Sequence, residues 1–174
     1  MKILGIDPGS LFCGYGFIQT DSGRKSRRRV TGLGCGDSKY LSSGRIVLPA
    51  GKPLYIRLND LYVSLGEVIA EYRPDEIAVE RIFFAKGIKA ALSLGHARGV
   101  VLLAASMSGL PLYEYSALEV KKAVVGYGRA EKSQVQKMVT EILGINRSLS
   151  PDSADALALA LCHANSKDLN NSLK

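Results

Sequence analysis

The sequence near the amino terminus constrains the fold of this chain most. Lys2–Ser10 reads K-I-L-G-I-D-P-G-S, in which an apolar β-type run stops abruptly at Pro8-Gly9. Asp7 therefore occupies the last strand position, where an unpaired carboxylate needs a cation or a hydrogen-bond donor. Because ligands bind at the carboxyl ends of parallel strands, Asp7 is a candidate site residue. The alternative is that Asp7 only begins a turn, since Asp-Pro-Gly is a common turn sequence.

Composition narrows the class of protein. The 174 residues are 47% hydrophobic, which suits one globular domain spanning 1–174, with a loose tail from about residue 166. No apolar run approaches the ~20 residues of a membrane span, and we expect the chain to begin with a strand and not with a signal peptide. The cysteines Cys13, Cys35 and Cys162 form no C-x-x-C pair, so we expect a reduced, cytoplasmic setting with no membrane contact. The net charge of +7 favours a polyanionic partner.

The next segments predict the first part of a sheet. Gly14–Thr20 favours a second strand, antiparallel to the first, and Val30–Gly36 a third, after the basic turn Arg24–Arg29. That turn then lies at the far end of the sheet from Asp7. Ser38–Pro53 is expected to be irregular and to lie near Asp7. It carries three basic residues, Lys39, Arg45 and Lys52.

A helix and a parallel strand are predicted to follow. Leu54–Tyr72 has apolar residues at helical spacing, and Arg73-Pro74 ends it. Glu76–Glu80 is a short β-type run reached through that helix, so we expect it to be parallel to the first strand. Glu80 is then a second carboxylate at the carboxyl end of a parallel strand. Two acids at matching ends of neighbouring strands indicate a site more specifically than either acid alone.

The linker Arg81–Lys89 follows this second acid directly. It contains two adjacent aromatic residues, Phe83 and Phe84, with Lys86 and Lys89 beside them. One phenylalanine is expected to pack inward, as most aromatic side chains do. The other, exposed between lysines, suits stacking on bases or wedging between them.

The next segment, Ala90–Met107, is predicted to be a helix that other parts of the protein cover on more than one side. Ala90–Met107 is apolar nearly all round, so we expect the sheet to cover one side and a second subunit of a homodimer to cover another. Leu112–Tyr115 is a further short strand. A helix capped by Ser116 runs through Val125, and another spans Glu131–Leu143. The lysines of these two segments are scattered over the helices, and lysines in such positions are usually solvated.

The last informative segment, Ser150–Ala164, is a helix that carries two acids on one face. Asp152 in the first turn can complement the helix dipole. Asp155 lies a turn further in, among alanines and leucines, and at i, i+3 the two carboxylates are neighbours. Because so apolar a helix packs against the sheet, its acidic face is expected to point at positive charge.

The chain therefore offers four candidate site carboxylates: Asp7, Glu80, Asp152 and Asp155. Clustered, four negative charges repel and cannot all stay ionised without cations. Oxygen ligands of this kind suit Mg²⁺, with Mn²⁺ as a substitute. Two such ions ~3.5–4 Å apart would clamp the attacking and leaving oxygens of a phosphodiester. The rest of the chain is basic, as a nuclease that acts on a long polyanion requires.

Five stretches in this order carry a resemblance to a known family: G-I-D-P-G-S with G-Y-G, A-V-E-R-I-F-F-A-K, G-H-A-R-G-V, V-V-G-Y-G-R-A-E-K-S-Q-V and D-S-A-D-A-L-A-L-A. Nearly end to end, the chain resembles the RuvC-type crossover junction endodeoxyribonucleases, the Holliday junction resolvases. The resemblance implies an α/β fold, a ribonuclease-H-like mixed five-stranded sheet flanked by helices. It also implies a homodimer, two Mg²⁺ ions per active site, and symmetric paired nicks in four-way DNA junctions during DNA recombination and repair.

The resemblance also assigns roles to individual residues. Motif by motif, it implies four catalytic, metal-binding acids: Asp7, Glu80, Asp152 and Asp155. It implies that Phe83 wedges between bases, that Lys121 and Lys132 lie near the scissile strand, and that a branch-migration motor complex is a partner. Ser38–Pro53 departs from the family pattern, because it is about ten residues longer than expected.

We expect metal-assisted hydrolysis. One ion would activate water for in-line attack, and the other would stabilise the departing 3′ oxygen, leaving 5′-phosphate and 3′-hydroxyl ends. Two alternatives come from other classes of protein. Asp-x-Gly after a strand also opens the phosphate loop of actin-like and sugar-kinase-like ATPases, which need two such domains, more than 174 residues supply. A non-catalytic junction-binding module would tolerate loss of the acids, whereas all four are present.

Overall fold

The computed structural model describes residues 1–20, 38–81 and 87–172, with the backbone alone at 89–90 and 168–172. These residues form five strands: β1 Lys2–Asp7, β2 Phe12–Thr20, β3 Ser38–Val47, β4 Glu76–Glu80 and β5 Leu112–Tyr115. They also form five helices: α1 Leu54–Tyr72, α2 Ile88–Met107, α3 Ala117–Val125, α4 Lys132–Leu143 and α5 Pro151–Ser172.

The described strands form one mixed sheet in the order β3-β2-β1-β4-β5. β2 pairs antiparallel with β1 and β3, whereas β4 is parallel to both β1 and β5. The parallel pairings follow from the helices that connect those strands, because a crossover returns the chain to the same end of the sheet. The predicted α/β architecture, a mixed five-stranded sheet flanked by helices, is confirmed.

Helices cover both faces of the sheet and create two cores. On β1, Ile3 packs with α3, α4 and α5, whereas Leu4 and Ile6 pack with α1 and α2. β2 alternates in the same way, since Ile18 joins the first core and Phe17 the second. This is the period of two that a strand imposes on its side chains. None of the described helices combines the length and the apolar character needed to cross a membrane.

Three glycines allow α5 to lie directly on the sheet. A Cβ added at Gly5 would lie 1.8 Å from the carbonyl oxygen of Ala156. At Gly14 it would lie 2.1 Å from the carbonyl oxygen of Asp152, and at Gly16 it would overlap the side chain of Leu157. The helix backbone therefore contacts the backbones of β1 and β2, which is possible only where the strands have no side chain.

The third strand is not where the sequence predicted it. Ser38–Val47, expected to be irregular, is a strand that pairs with β2 from Phe12 to Thr20, with one irregularity after Phe17. The expected strand Val30–Gly36 lies outside the described residues. Serines and a glycine give Ser38–Val47 little preference of its own for a strand, so pairing with β2 decides its structure.

Because Ser38–Val47 is a strand, the position of one basic residue differs from the predicted one. Lys39 pairs with Gln19 at the far end of the sheet and does not lie near Asp7, as was expected. Arg45, by contrast, pairs with Gly14 close to the acids, as predicted.

Most other boundaries agree with the sequence. α1, β4 and β5 have the predicted limits, and α3 begins after Ser116 with the predicted capping box to Glu119. β2 begins two residues earlier than predicted, at Phe12, and α2 likewise, at Ile88. α5 continues as a helix to Ser172, past residue 166, from which a loose tail was expected.

The contact between α5 and the sheet leads to a stability prediction. Gly5→Ala should lower the free energy of unfolding by about 3 kcal/mol, because its Cβ forces α5 away from β1. Gly66→Ala on α1 is the matched control: the space around Gly66 is open, so alanine should leave stability unchanged or raise it by about 0.5–1 kcal/mol. Urea denaturation of both variants tests this. Equal stability of the two would mean that α5 does not rest on Gly5.

Candidate active site

Two parallel strands bring the first two acids to the same edge of the sheet. β1 and β4 are adjacent and in register, and Asp7 and Glu80 are their last residues. Both acids fall on the face that α5 covers, since Gly5 and Ala78, two residues earlier on each strand, face that helix. The prediction that Asp7 and Glu80 lie at matching strand ends is confirmed.

The start of α5 brings the other two acids to this edge. The Ser150 hydroxyl accepts a hydrogen bond from the Ser153 backbone N–H at 3.2 Å, as a helix N-cap does. The Ser153 hydroxyl donates to the Gly44 carbonyl oxygen at 3.0 Å and so ties the helix to β3. These bonds fix the first turn of the helix that carries Asp152 and Asp155.

A cavity of about 270 Å³ opens where β1, β4, α3, α4 and α5 meet. Three of the four predicted acids and both predicted lysines line it, together with apolar residues of the helices. The lining residues are Asp7, Glu80, Ala117, Val120, Lys121, Lys132, Val135, Asp155, Ala158 and Leu159. Acidic and basic groups thus share one partly apolar pocket, a combination typical of a binding or catalytic site.

Burial and mutual repulsion act on the ionisation of the acids. Desolvation, followed by the charges of Asp155 and Glu80, raises the pKa of Asp7 to about 7. The pKa of Glu80 is also raised, first by burial and then by Asp155. The nearby Lys132 opposes both shifts. The acids therefore need additional positive charge if all are to be ionised at neutral pH.

Lys132, at the start of α4, supplies part of that positive charge. Its ammonium group lies 2.5 Å from the Asp155 carboxylate, and this bond raises the pKa of Lys132. Lys121 on α3 lines the same cavity. The structure thus brings together the two lysines that the resemblance placed near the scissile strand, on helices that pack beside α5.

Asp152 lies outside the cavity lining, on the side of the edge strand β3. Its nearest cation is Arg45, whose guanidinium is 3.6 Å from the carboxylate. Arg45 in turn lies over the Phe12 ring, at 4.2 Å from its centre. Asp152 still acts electrostatically on Asp7 and on Lys132, so it belongs to the same charged group.

Arg98 supports the site and was missed by sequence reasoning. From α2 its guanidinium donates to the Glu80 carbonyl oxygen and to the Glu114 carboxylate of β5. It thus fixes the end of β4, and its charge partly opposes the rise in the pKa of Glu80. The signal was an arginine in the middle of a mostly apolar helix, which needs a polar partner when the helix packs against a sheet.

The chemistry of the acids fits a divalent cation. In the described part of the chain, no three His, Cys, Asp or Glu side chains are arranged to hold a metal ion as they stand. The donor atoms are nevertheless all carboxylate oxygens, which hard ions such as Mg²⁺ prefer. Burial and the neighbouring acids raise the pKa of Asp7, so a bound cation would favour its ionised form.

The predicted aromatic wedge lies outside the described residues, which omit Phe83, Phe84 and Lys86. Lys89 lies in the first turn of α2, where the backbone alone is described. The roles expected of these four residues in DNA contact remain predictions.

Comparisons with known proteins agree on one family. The model of the family "Crossover junction endodeoxyribonuclease RuvC" matches residues 3–163. A curated protein of that name from Geotalea uraniireducens is 44% identical over 174 residues, covering all of this chain and 94% of the relative. One from Syntrophotalea carbinolica is 47% identical over 99% of each chain. Thermus thermophilus RuvC, solved in complex with a Holliday junction substrate, has a TM-score of 0.84 and 33% identity, covering 98% of this chain and 96% of that one.

The pKa of Asp7 leads to a pH-dependent prediction for the metal-free protein. Since its pKa is about 7 in the fold and 3.8 ordinarily, the folded state binds the extra proton between these values, and stability falls as pH rises from 4 to 7. Asp7→Asn removes this loss of stability, because asparagine does not ionise. In EDTA at pH 8 it should raise the free energy of unfolding by about 2–4 kcal/mol, at about 1.4 kcal/mol per pKa unit, and by nothing at pH 4.

Denaturation at the two pH values measures this gain. Asp60→Asn is the matched control, because Asp60 pairs with Lys52 on the surface of α1 and should give no gain at pH 8. A gain for Asp7→Asn that is equal at pH 4 and pH 8 would contradict the raised pKa.

Proposed function

Because this chain belongs to the RuvC family of crossover junction endodeoxyribonucleases, we propose that its acidic edge hydrolyses phosphodiester bonds in four-way DNA junctions. One observation carries the proposal: acids from two parallel strand ends and from α5 share one edge with two lysines. Carboxylates that bind cations, beside ammonium groups that bind phosphate, are what hydrolysis of a phosphodiester needs. The structure of a relative with a Holliday junction substrate supports the choice of substrate.

The charge of the chain supports a nucleic-acid substrate. With the four site acids set aside, 12 of the 16 acidic residues remain, against 23 basic ones. A strongly basic surface around a local acidic site attracts the polyanion while the site itself attracts cations. The proposed products are paired, symmetric nicks with 5′-phosphate and 3′-hydroxyl ends.

The residues of the site have distinct proposed roles. Asp7, Glu80, Asp152 and Asp155 would hold Mg²⁺, for which Mn²⁺ can substitute. When bound, the metal supplies Lewis-acid stabilisation of the phosphodiester oxygens and lowers the pKa of water.

Two lysines would hold the substrate. Lys121 and Lys132 would bind the phosphate oxygens next to the scissile bond and neutralise their charge. Their helices also exclude water from one side of the cavity, through Val120 and Val135.

Exposed apolar side chains on α2 support the proposed homodimer. α2 presents Ile88, Leu92, Leu102, Leu103 and Met107, which are 39–82% exposed, to the solvent. Apolar surface of this extent on one helix is typical of an interface. A two-fold dimer would hold two acidic sites in a fixed relation, as paired nicks at one junction require.

The acids are the first test of the function. Asp7→Asn, Glu80→Gln or Asp155→Asn should reduce cleavage on the order of a thousandfold, because each removes a charged ligand. Binding should be retained or become tighter, because a negative charge next to the phosphate is lost. The measurement is incubation with a labelled synthetic four-way junction with and without Mg²⁺, the products being resolved on a denaturing gel.

Asp60→Asn again serves as the matched control and should cleave like the unmodified protein. Normal turnover in any one of the three variants would remove that residue from the site. Cleavage that is unaffected by EDTA would contradict the proposed requirement for a metal.

The dimer interface gives a separate prediction. Leu103→Glu, at a position 53% exposed on α2, should convert the protein from dimer to monomer in sedimentation at micromolar concentration. The buried charge would cost several kcal/mol in the interface and nothing in the free subunit. Leu118→Glu, at a similarly exposed position on α3, should remain a dimer. An unmodified protein that is monomeric while it makes paired nicks would refute the interface.

The proposal for Phe83 also follows the family pattern. As a wedge it would stack on bases at the open centre of the junction and stabilise only the complex, by about 1–3 kcal/mol per base.

A further inference from the structure

Two arginine–aromatic pairs lie along the edge strand β3, each with one member on that strand, and neither has an assigned role in the proposed chemistry. Arg45 covers the Phe12 ring at 4.2 Å. Arg147, from the loop between α4 and α5, covers the Tyr40 ring at 5.7 Å and donates a hydrogen bond to its hydroxyl group. The Tyr40 hydroxyl also lies 3.2 Å from the Ser43 hydroxyl. We call these five residues the β3 track.

The β3 track lies on the face of the sheet that carries the acids. Arg45 is opposite Gly14 and Ser43 is opposite Gly16, and both glycines face α5. Tyr40 packs against the core that α5 shares with the sheet. α5 therefore runs along the inner side of the track, and β3 is an edge strand with no described strand beyond it.

The β3 track is contiguous with the acidic site. Its first member, Arg45, lies 3.6 Å from Asp152, and its last, Arg147, lies beside Tyr40 five positions earlier on β3. At ~3.4 Å per residue the track is about 17 Å long, close to the rise of five base pairs. A polymer with a phosphate at the acidic site would thus pass along β3 if it continued in this direction.

The arginines are held ready for an anion. A guanidinium stacked on an aromatic ring keeps a fixed orientation while its N–H donors remain available at the edges. Arg45 has a side chain that is 40% exposed, and Arg147 is exposed as well. Within the described residues, no carboxylate forms an ion pair with Arg147.

We propose that the β3 track binds the sugar-phosphate backbone of the DNA arm that leaves the acidic site. This inference rests on the proposed function and adds a second, non-catalytic binding surface to it. Two guanidinium groups and two hydroxyl groups in a row are donors for consecutive phosphates, and phosphate contacts of this kind fix the position of a duplex without reading its sequence. The track would therefore hold an arm in place while one strand is cut.

The test uses the salt dependence of binding, which counts phosphate contacts. For duplex DNA, log K falls with log salt by about 0.9 for each phosphate that a protein neutralises. We expect Arg45→Gln and Arg147→Gln each to reduce this slope by about one, and the double variant by about two. The measurement is fluorescence anisotropy of a labelled four-way junction in EDTA, where no cleavage occurs, from 50 to 300 mM potassium chloride.

Arg73→Gln is the matched control. Arg73 caps the carboxyl end of α1, the helix that packs on the face of the sheet opposite to the β3 track. Arg73→Gln changes the net charge of the protein as much as Arg147→Gln does. The slope of log K against log salt for Arg73→Gln should nevertheless equal that of the unmodified protein. A slope that falls equally for the two variants would show a general charge effect and overturn the inference. Without DNA, Arg73→Gln and Arg147→Gln should have the same melting temperature, because the side chains of Arg73 and Arg147 are both exposed.

The outcomes also separate this inference from the proposed function. If the unmodified protein neither prefers a junction to a linear duplex nor cleaves it with Mg²⁺, the proposed function fails. If the unmodified protein does both but the double variant keeps the full slope, only the β3 track is refuted. Arg147→Gln carries the most weight, because Arg147 is remote from Asp152 and its loss leaves the acidic site unchanged.

Discussion

Direct contact between the backbone of α5 and the sheet determines where the acids of the site can lie. Gly5, Gly14 and Gly16 leave β1 and β2 without side chains where the helix crosses them. A helix held at the usual distance by side chains could not bring its first turn down to the strand ends. The close approach thus places Asp152 and Asp155 beside acids that the strands themselves deliver.

The site that results is electrostatically unfavourable by itself. Burial and the charges of Asp155 and Glu80 raise the pKa of Asp7 to about 7, and a single lysine, Lys132, offsets part of the repulsion. The packing of the two cores offsets this unfavourable electrostatic free energy, because it holds the elements together regardless of charge. A site that lacks positive charge in the free protein is one that a cation and a polyanion stabilise when they bind.

A second, distant interaction fixes α5 near its middle. His163, fully buried, lies with Nε2 2.6 Å from Glu76 and Nδ1 2.6 Å from the Tyr115 hydroxyl. Burial opposes ionisation of Glu76, but hydrogen bonds from Lys167 and His163 outweigh it and lower its pKa. Nε2 therefore carries the proton, and the Tyr115 hydroxyl donates to Nδ1. These bonds tie α5 to β4 and β5, whose ends carry or adjoin the site.

Local sequence patterns are enough to predict the elements whose signals are unambiguous. The apolar spacing and end signals of Leu54–Tyr72 defined α1, and two β-type runs ending in acids placed Asp7 and Glu80 at one edge, because crossover topology leaves little choice. Ser38–Val47 could not be predicted as a strand in this way, because pairing with β2 outweighs its weak local preference. The contact between Arg45 and Asp152 could not be predicted either, because the two residues lie far apart in the chain and no local pattern records which residues folding brings together.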